Sequence, residues 1–345
     1  MGDVSPSPIF NARVGVVVIG RNEGDRLKAC LRSIPAGAEV VYVDSGSTDG
    51  SVEFAQGMGF DVVTLDTSRG FTAARARNAG LQWLKGRDVH FVQMVDGDCE
   101  LDAGWIQAAL AALAEESDLA IVFGRRRERF PDRSIYNRLC DEEWDVPVGE
   151  ARACGGDALF RMEPLLAAGG YNGDIIAGEE PDLSLRLRRA GWRIRRIDAE
   201  MTRHDAAMTH ISQWWRRSKR SGHAFAELLH RHALDAEPRW RAQVNSIILW
   251  GGLVPALILL LALLALAVPM LGGIALILLL AYPLQVLRIG LRKWRGGKSA
   301  GFALASASFL MLGKVAQFTG VIRYRRNRAS AKASTIIEYK GAGAR

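Results

Sequence analysis

Cysteine is scarce in this chain and nowhere grouped. Cys30, Cys99, Cys140 and Cys154 form no Cys-x-x-Cys pair and no Cys/His ligand spacing. That excludes a cysteine-built metal site or a disulfide framework and leaves reduced thiols in a cytosolic domain. No Gly-x-Gly-x-x-Gly turn follows the first β-branched run, and Gly15 and Gly20 do not fit its spacing, which excludes a dinucleotide oxidoreductase. The first 13 residues hold two prolines, one acid and no apolar core, so they do not read as a signal peptide. Charge is missing altogether from residues 242–287. A buried soluble helix does not run so long without charge, and the length suits two membrane spans of about 20 residues each.

Those spans fall at about 246–267 and 270–289, with Pro269, Gly272 and Gly273 at the turn between them. Pro255 and Pro283 lie inside, where membrane helices tolerate proline. The basic excess is as uneven as the apolar content. Of a net charge of +8, residues 288–345 contribute 13 Lys or Arg against the single acid Glu338, so the preceding part is acidic. This argues against nucleic acid as a partner and for a basic tail that meets anionic lipid. Arg288, Arg292, Lys293, Arg295 and Lys298 follow the second span, whereas the 268–273 turn has no Lys or Arg. The positive-inside rule then places the preceding domain on the cytosolic face of the inner membrane. Segment 301–322 is weaker, with Lys314 and Gln317, and is followed by Arg323, Arg325, Arg326 and Arg328. We expect a re-entrant or interfacial helix there with a cytosolic C-terminus, a third span being the alternative. The chain length allows about two domains, here 1–235 and a membrane domain at 236–345.

Within 1–235, strands alternate with helices. Val14–Ile19, Val40–Val43, Phe60–Leu65, Val89–Val95 and Leu119–Phe123 are short apolar runs bounded by polar loops; helical spacing lies between them, ending at Pro35, Met58, Leu84 and Glu116. Thr48 or Asp49 suits the N-cap of the second helix. The alternation predicts an α/β domain with a mainly parallel sheet covered on both faces. Trp192–Ile197 is expected as an edge strand. Residues 124–150, rich in Arg and then in acids, show no clean period and read either as a surface excursion beside a site or as a mobile salt-laced loop.

Chemistry-bearing residues gather at strand ends, where open α/β sheets bind ligands. Asp96-Gly97-Asp98 closes the 89–95 strand. Two carboxylates two residues apart converge on a hard cation such as Mn²⁺ or Mg²⁺, which takes oxygen ligands and shares them with phosphates; a solvated turn is the bland alternative. Gly155-Gly156-Asp157 permits close backbone approach to a ligand or is a tight turn. Glu179-Glu180-Pro181-Asp182 opens a helix, with Pro181 suited to its first position. First-turn acids suit the helix dipole, yet that does not account for two acids ahead of the proline. His204 is either structural or a metal ligand. Residues 213–222, with Trp214, Trp215, Arg217 and Arg220, suit a phosphate or an interfacial helix.

The motif order resembles a family 2 glycosyltransferase with the GT-A, Rossmann-like nucleotide-diphospho-sugar transferase fold. The resemblance is carried by Asn22-Glu23 after Val16–Ile19, Val43–Ser51, Ala76-Arg77-Asn78-Ala79-Gly80, Asp96-Gly97-Asp98, Gly155–Arg161, Gly169-Gly170-Tyr171 and Gly178–Arg186, over about 13–230. It implies a nucleotide-sugar donor, usually UDP-linked. Asp44 would contact the base, although alone it is equally a turn or capping acid. Arg77, with Asn78, would lie near the nucleotide. Asn22, Glu23, Asp96, Gly156 and Asp157 would line the substrate. Asp98 leads as metal ligand, with Asp96 and His204. The family's second acid in the helix-opening pair is the general base, commonly Asp; here Glu180 holds that place, one methylene longer, with Glu179 and Asp182 as substitutes. Arg217 and Arg220 fall in what looks like a reduced Gln-x-x-Arg-Trp motif, an imperfect match that argues against a processive synthase. The implied reaction is inverting transfer of one sugar to a membrane-associated acceptor, such as a lipid-linked one, in envelope or exopolysaccharide assembly, alone or within a complex. The alternative is a non-catalytic, membrane-anchored nucleotide-sugar-binding protein.

Overall fold

The computed structural model describes residues 13–68, 70–234, 236–330 and 335–338. The N-terminal segment and the end of the basic tail therefore lie outside the described residues. The chain divides into two compact units, Met1–Thr209 and His210–Arg345.

The first unit runs β1 (Val14–Gly20), α1 (Asp25–Arg32), β2 (Glu39–Asp44), α2 (Ser51–Gly57), β3 (Asp61–Thr64), α3 (Ala73–Leu84), β4 (Phe91–Asp96), β5 (Cys99–Leu101), α4 (Trp105–Glu115), β6 (Leu119–Glu128), α5 (Ile135–Trp144), β7 (Gly149–Glu150), β8 (Ala158–Arg161), α6 (Met162–Ala167), α7 (Glu179–Arg189) and β9 (Arg193–His204). One sheet orders them β3-β2-β1-β4-β8-β6-β9-β5, with β7 paired to β9. Val16, Val17, Val18, Val92, Met94, Ile121 and Val122 are fully buried in its core. Each such side chain contributes about 1.5–3 kcal/mol relative to exposure, which is why continuous apolar runs settle as central strands.

The sheet is mixed rather than mainly parallel. β1 to β4 are parallel, but β8 enters antiparallel between β4 and β6. β9 is no edge strand, because it pairs with β5, β6 and β7 and runs seven residues beyond Ile197, to His204. Nor is 124–150 a surface excursion. β6 continues through the arginines to Glu128, α5 follows, and Arg125, Glu128 and Asn137 are buried. Ion pairs of Arg125 with Asp141 and Asp145 neutralise charge that would otherwise keep this segment in water. Two helix starts also differ from expectation. Gly50, not Thr48 or Asp49, caps α2; Asp49 instead accepts from the Gly24 and Ser51 amides. Pro181 is the third residue of α7, where its missing N–H is still one of the unsatisfied four.

Register places the strand ends together. Gly20 lies beside Asp44 and Ile19 beside Asp96. The loop after β1, Asp44 and the Asp96–Asp98 turn therefore share one edge, at the point where the strand order reverses around β1.

The second unit is helical: α8 (Ile211–Arg231), α9 (Pro238–Ile248), a π-helical turn at Leu249–Leu253, α10 (Val254–Leu264), α11 (Met270–Arg295) and α12 (Ala300–Ala329). α8 falls in this unit, ahead of the boundary expected at 235. Three stretches are long and apolar enough to cross a membrane: Pro238–Leu264, Met270–Arg295 and Ala300–Ala329. The third is one unbroken helix, not a re-entrant turn. It lies along α8: Trp214 meets Phe309 edge-on, and His223 and His230 meet Tyr324.

Candidate active site

Arg77 is the centre of the site, and helix packing puts it there. A Cβ on Gly80 would stand 2.3 Å from Val17 Cγ1, so α3 rests directly on β1 at that residue. Arg77, one turn earlier on the same face, is thereby aimed along the sheet at its carboxyl edge. It is only 2 % exposed. Its Nη2 donates to Asp96 Oδ1 at 2.9 Å, and its Nη1 donates to Glu179 Oε1 at 3.0 Å and Glu180 Oε1 at 3.1 Å. The Tyr171 ring lies 5.3 Å from the guanidinium. One buried cation thus ties the end of β4 to the start of α7.

A second guanidinium closes the cluster. Arg126 Nη2 donates to Asp96 Oδ2 at 3.2 Å, its Nε lies 3.4 Å from Asp157 Oδ2, and the Trp144 ring covers it at 5.0 Å. Asp157 also accepts from the Asp96 amide at 3.0 Å and from the Thr202 hydroxyl at 2.8 Å. Gly156 makes this convergence possible, because a Cβ there would sit 2.7 Å from both Arg77 Nη2 and Asp96 Oδ2. Four carboxylates contact these two guanidiniums, so negative charge is in excess. That excess falls on Glu180, whose pKa is raised to about 7 by burial first and by Glu179 second, against the lowering effect of Arg77.

Beside this cluster, Asp98 and His204 form a pair. Both are buried, with His204 Nε2 3.2 Å from Asp98 Oδ2. Glu128 Oε2 lies 3.6 Å from His204 Nδ1. That carboxylate is itself held by the Asn137 side-chain amide and by the Phe130 and Ala206 N–H groups. Trp144 packs against the imidazole with ring centroids 4.6 Å apart.

This arrangement can be set beside known proteins. Residues 15–161 match the model of glycosyl transferase family 2. Over 194 residues the chain is 35% identical to an uncharacterized glycosyltransferase of Mycobacterium bovis, covering 54% of this chain and 83% of that one. The chain belongs to glycosyl transferase family 2. It is also 28% identical over 198 residues to the succinoglycan biosynthesis protein ExoA of Rhizobium meliloti, spanning 52% of this chain and only 59% of that protein's length. Among solved structures, a mannosyltransferase from Pyrobaculum calidifontis in complex with GDP-mannose and Mn²⁺ matches 89% of both chains with a TM-score of 0.58 at 23% identity. That likeness shows the GT-A fold.

In this family 2 member the residues singled out from sequence separate into groups. Asp96, Arg77, Gly156, Asp157, Glu179 and Glu180 share one buried network, with Asp98 and His204 adjoining. Asp182 turns elsewhere, accepting from both Nε and Nη2 of Arg186 at 2.9 Å. Asn78 is occupied on the backbone of Tyr171, donating to its carbonyl and accepting from its amide. Asp44 accepts from the Tyr42 hydroxyl and the Gly46 and Ser47 amides, which is the turn-acid role. Asn22 accepts from the Thr48 amide, and Glu23 pairs with Arg26 at 2.8 Å. Arg217 and Arg220 lie on α8 of the second unit.

The donor chemistry fits a divalent cation at Asp98 and His204. Their ligand atoms and the Cys99 sulfur all lie within 4.8 Å of one another. Burial, then Arg126, lowers the His204 pKa from its ordinary value, leaving a neutral imidazole with a lone pair to give. Burial raises the Cys99 thiol well above its usual range, so it stays protonated and offers a hard cation little. Asp96 fits less well, since each of its oxygens already meets a guanidinium. Arg126, Glu128 and Trp144 were not apparent as site residues from sequence. No period-two signal marked them: Gly124 and Arg125 are both buried, Arg127 is exposed and Glu128 is buried again, because the register of β6 shifts at Arg125.

Proposed function

We propose that this glycosyltransferase moves one sugar, with inversion, from a nucleoside-diphosphate sugar to a membrane-associated acceptor. The observation that carries this reading is Arg77 joining Asp96 to the Glu179–Glu180 pair, with Glu180 poised near neutral pH. Glu180 is the general base. Ionised, it takes the acceptor hydroxyl proton as the oxygen attacks the anomeric carbon and the bond to the diphosphate breaks. Arg77 holds Glu180 and the diphosphate side in one frame, and Glu179 keeps the Glu180 proton affinity high enough for the transfer. Asp98 and His204 would hold Mn²⁺ or Mg²⁺, which supplies Lewis-acid neutralisation of the departing phosphate charge. Glu128 orients the imidazole. Asp157 positions Asp96 and Arg126.

A UDP-sugar is the expected donor. The three apolar helices support a membrane-held enzyme, with the catalytic unit on the cytosolic face of the inner membrane. The name of the Rhizobium relative supports exopolysaccharide assembly, and a lipid-linked acceptor suits the membrane location. The test is a screen of nucleotide sugars for release of nucleoside diphosphate by the detergent-solubilised chain, with Mn²⁺ and with chelator. One donor should be turned over with Mn²⁺ and not with chelator, and Asp98→Ala and Glu180→Gln should abolish turnover while remaining folded. Wild-type turnover by both variants would remove the mechanism; binding of a donor without turnover, with or without acceptor lipid, would favour the non-catalytic alternative.

A further inference from the structure

The second unit carries an open groove of about 780 Å³ that the transfer chemistry does not use. Its polar lining is Lys219 from α8, Thr319, Arg323, Arg326 and Asn327 from α12, and Ser330 at the C-cap of α12. On α12 these residues recur at spacings of three and four, so they form one stripe. Lys219 faces that stripe because the two helices touch backbone to backbone. A Cβ on Gly320 would stand 2.0 Å from the Lys219 carbonyl oxygen, and one on Gly222 would stand 2.0 Å from that of Gln317. Small residues at such crossings let helices approach closely. Among the described residues, three cations line the groove and no acid does. Arg323 is anchored through Nη2 to the Thr335 carbonyl and hydroxyl.

Basic residues at the last turns of a helix are expected on dipole grounds, and basic residues beside a membrane helix are expected from topology. Neither expectation brings a lysine from a second helix into the same groove, nor adds hydroxyl and amide groups. Convergent cations and neutral donors are the chemistry that holds a phosphate. α12 itself is long and apolar enough to cross a membrane, so an apolar wall runs away from the groove. We propose that this groove holds the phosphate head of an anionic membrane lipid, with the acyl or isoprenoid chain lying along α12. The inference stands on the second unit and requires no sugar chemistry.

The test is lipid binding by the full chain purified in a neutral detergent, followed by native mass spectrometry during titration with phosphatidylglycerol and, in parallel, farnesyl phosphate. The site variant is Lys219→Gln/Arg323→Gln/Arg326→Gln. The charge-matched control is Lys298→Gln/Arg325→Gln/Arg328→Gln, whose positions do not line the groove. The site variant should lose at least about tenfold in affinity for one or both lipids, and the control less than twofold. The arm that responds names the lipid class, and millimolar inorganic phosphate should leave binding unchanged. Equal losses in both variants would mean diffuse attraction and overturn the proposal, as would no loss in either. Displacement by inorganic phosphate alone would assign the groove to a soluble anion and overturn the lipid. Single Arg326→Gln, an exposed position, repeats the comparison if the triple variant does not fold.

Discussion

Glu180→Gln should make the protein more stable while abolishing transfer. The side chain is 17 % exposed and its pKa is raised from 4.5 to about 7. At 1.36 kcal/mol per unit, the ionised form is disfavoured in the folded state by about 3 kcal/mol, and solvent and the coupling to Glu179 reduce this to about 1–3 kcal/mol. The sign follows from proton binding. Between pH 4.5 and 7 the folded state keeps a proton that the unfolded chain has released, so stability falls as pH rises through this window. Below it the group costs nothing; above pH 7 the cost is complete. Glutamine keeps the shape and still accepts from Arg77 Nη1, but has no charge to bury. Thermal unfolding of the detergent-solubilised chain, followed by tryptophan fluorescence, should show the variant melting roughly 2–10 °C higher at pH 8. At pH 4.5 the two should melt together. In the parent, kcat/KM for acceptor should fall as pH drops below about 7, because the base must be ionised. A variant that melts below its parent at pH 8 would refute the electrostatic reasoning, and one that retains transfer would refute the base.

Three further outcomes follow from the same cluster. Arg126→Lys keeps the charge but cannot span Asp96 and Asp157 together, so transfer should drop by at least about tenfold while the thermal midpoint moves little; unchanged steady-state kinetics would contradict the role given to Arg126. Gly156→Ala drives a methyl group against Arg77 and Asp96, which should cost about 1–3 kcal/mol by the usual penalty for overpacking and most of the activity, as read by chemical denaturation and the donor assay; a neutral result would mean that the carboxylates tolerate separation. Glu128→Gln should weaken Mn²⁺ affinity about tenfold, as measured by the electron paramagnetic resonance of free Mn²⁺, with His204→Gln weakening it further; equal affinity in all three proteins would move the cation away from His204.

Much of the first unit was legible because its strands are apolar runs too short to be anything else. Val14–Gly20 and Phe91–Asp96 are bounded by polar loops, and register then carries Asp44 and Asp96 to one edge. The two ends that ran on unseen, 124–128 in β6 and 198–204 in β9, are rich in Arg, Asp and Glu. Pattern reading treats such residues as solvent-facing. Here their charges are matched across strands: Arg127 pairs with Glu200, and Arg129 with Glu100. These pairs sit at the surface, so the strands run on through polar residues and the hydrophobic signal that marks a strand is absent. The third apolar helix hid its length for the opposite reason. Lys314 and Gln317 weaken its apolar run, yet the α12 backbone touches α8 where Gly222 and Gly320 allow it, so part of the helix faces protein instead of lipid.

The same principle separates the site residues that sequence reveals from those it conceals. Asp96, Asp98 and Glu180 stand at element ends, where an acid needs an explanation, and so they attract notice. Arg126 stands within a run of arginines, where one more cation is unremarked. Yet its position has the stronger consequence for charge. With Arg77 alone, Asp96 would share a single guanidinium with Glu179 and Glu180, and all three acids would compete for it. With Arg126 present, Asp96 is satisfied on both oxygens and leaves more of Arg77 to Glu179 and Glu180, so Arg126 holds the Glu180 proton affinity down. The proton affinity of the proposed base is therefore set partly from β6, through Asp96. Arg126→Gln should accordingly release Asp96 to compete for Arg77 and raise the pH at which transfer reaches half its maximum above the parent's value near 7. A pH–rate profile that keeps its midpoint would show that Glu180 is tuned by its own helix alone.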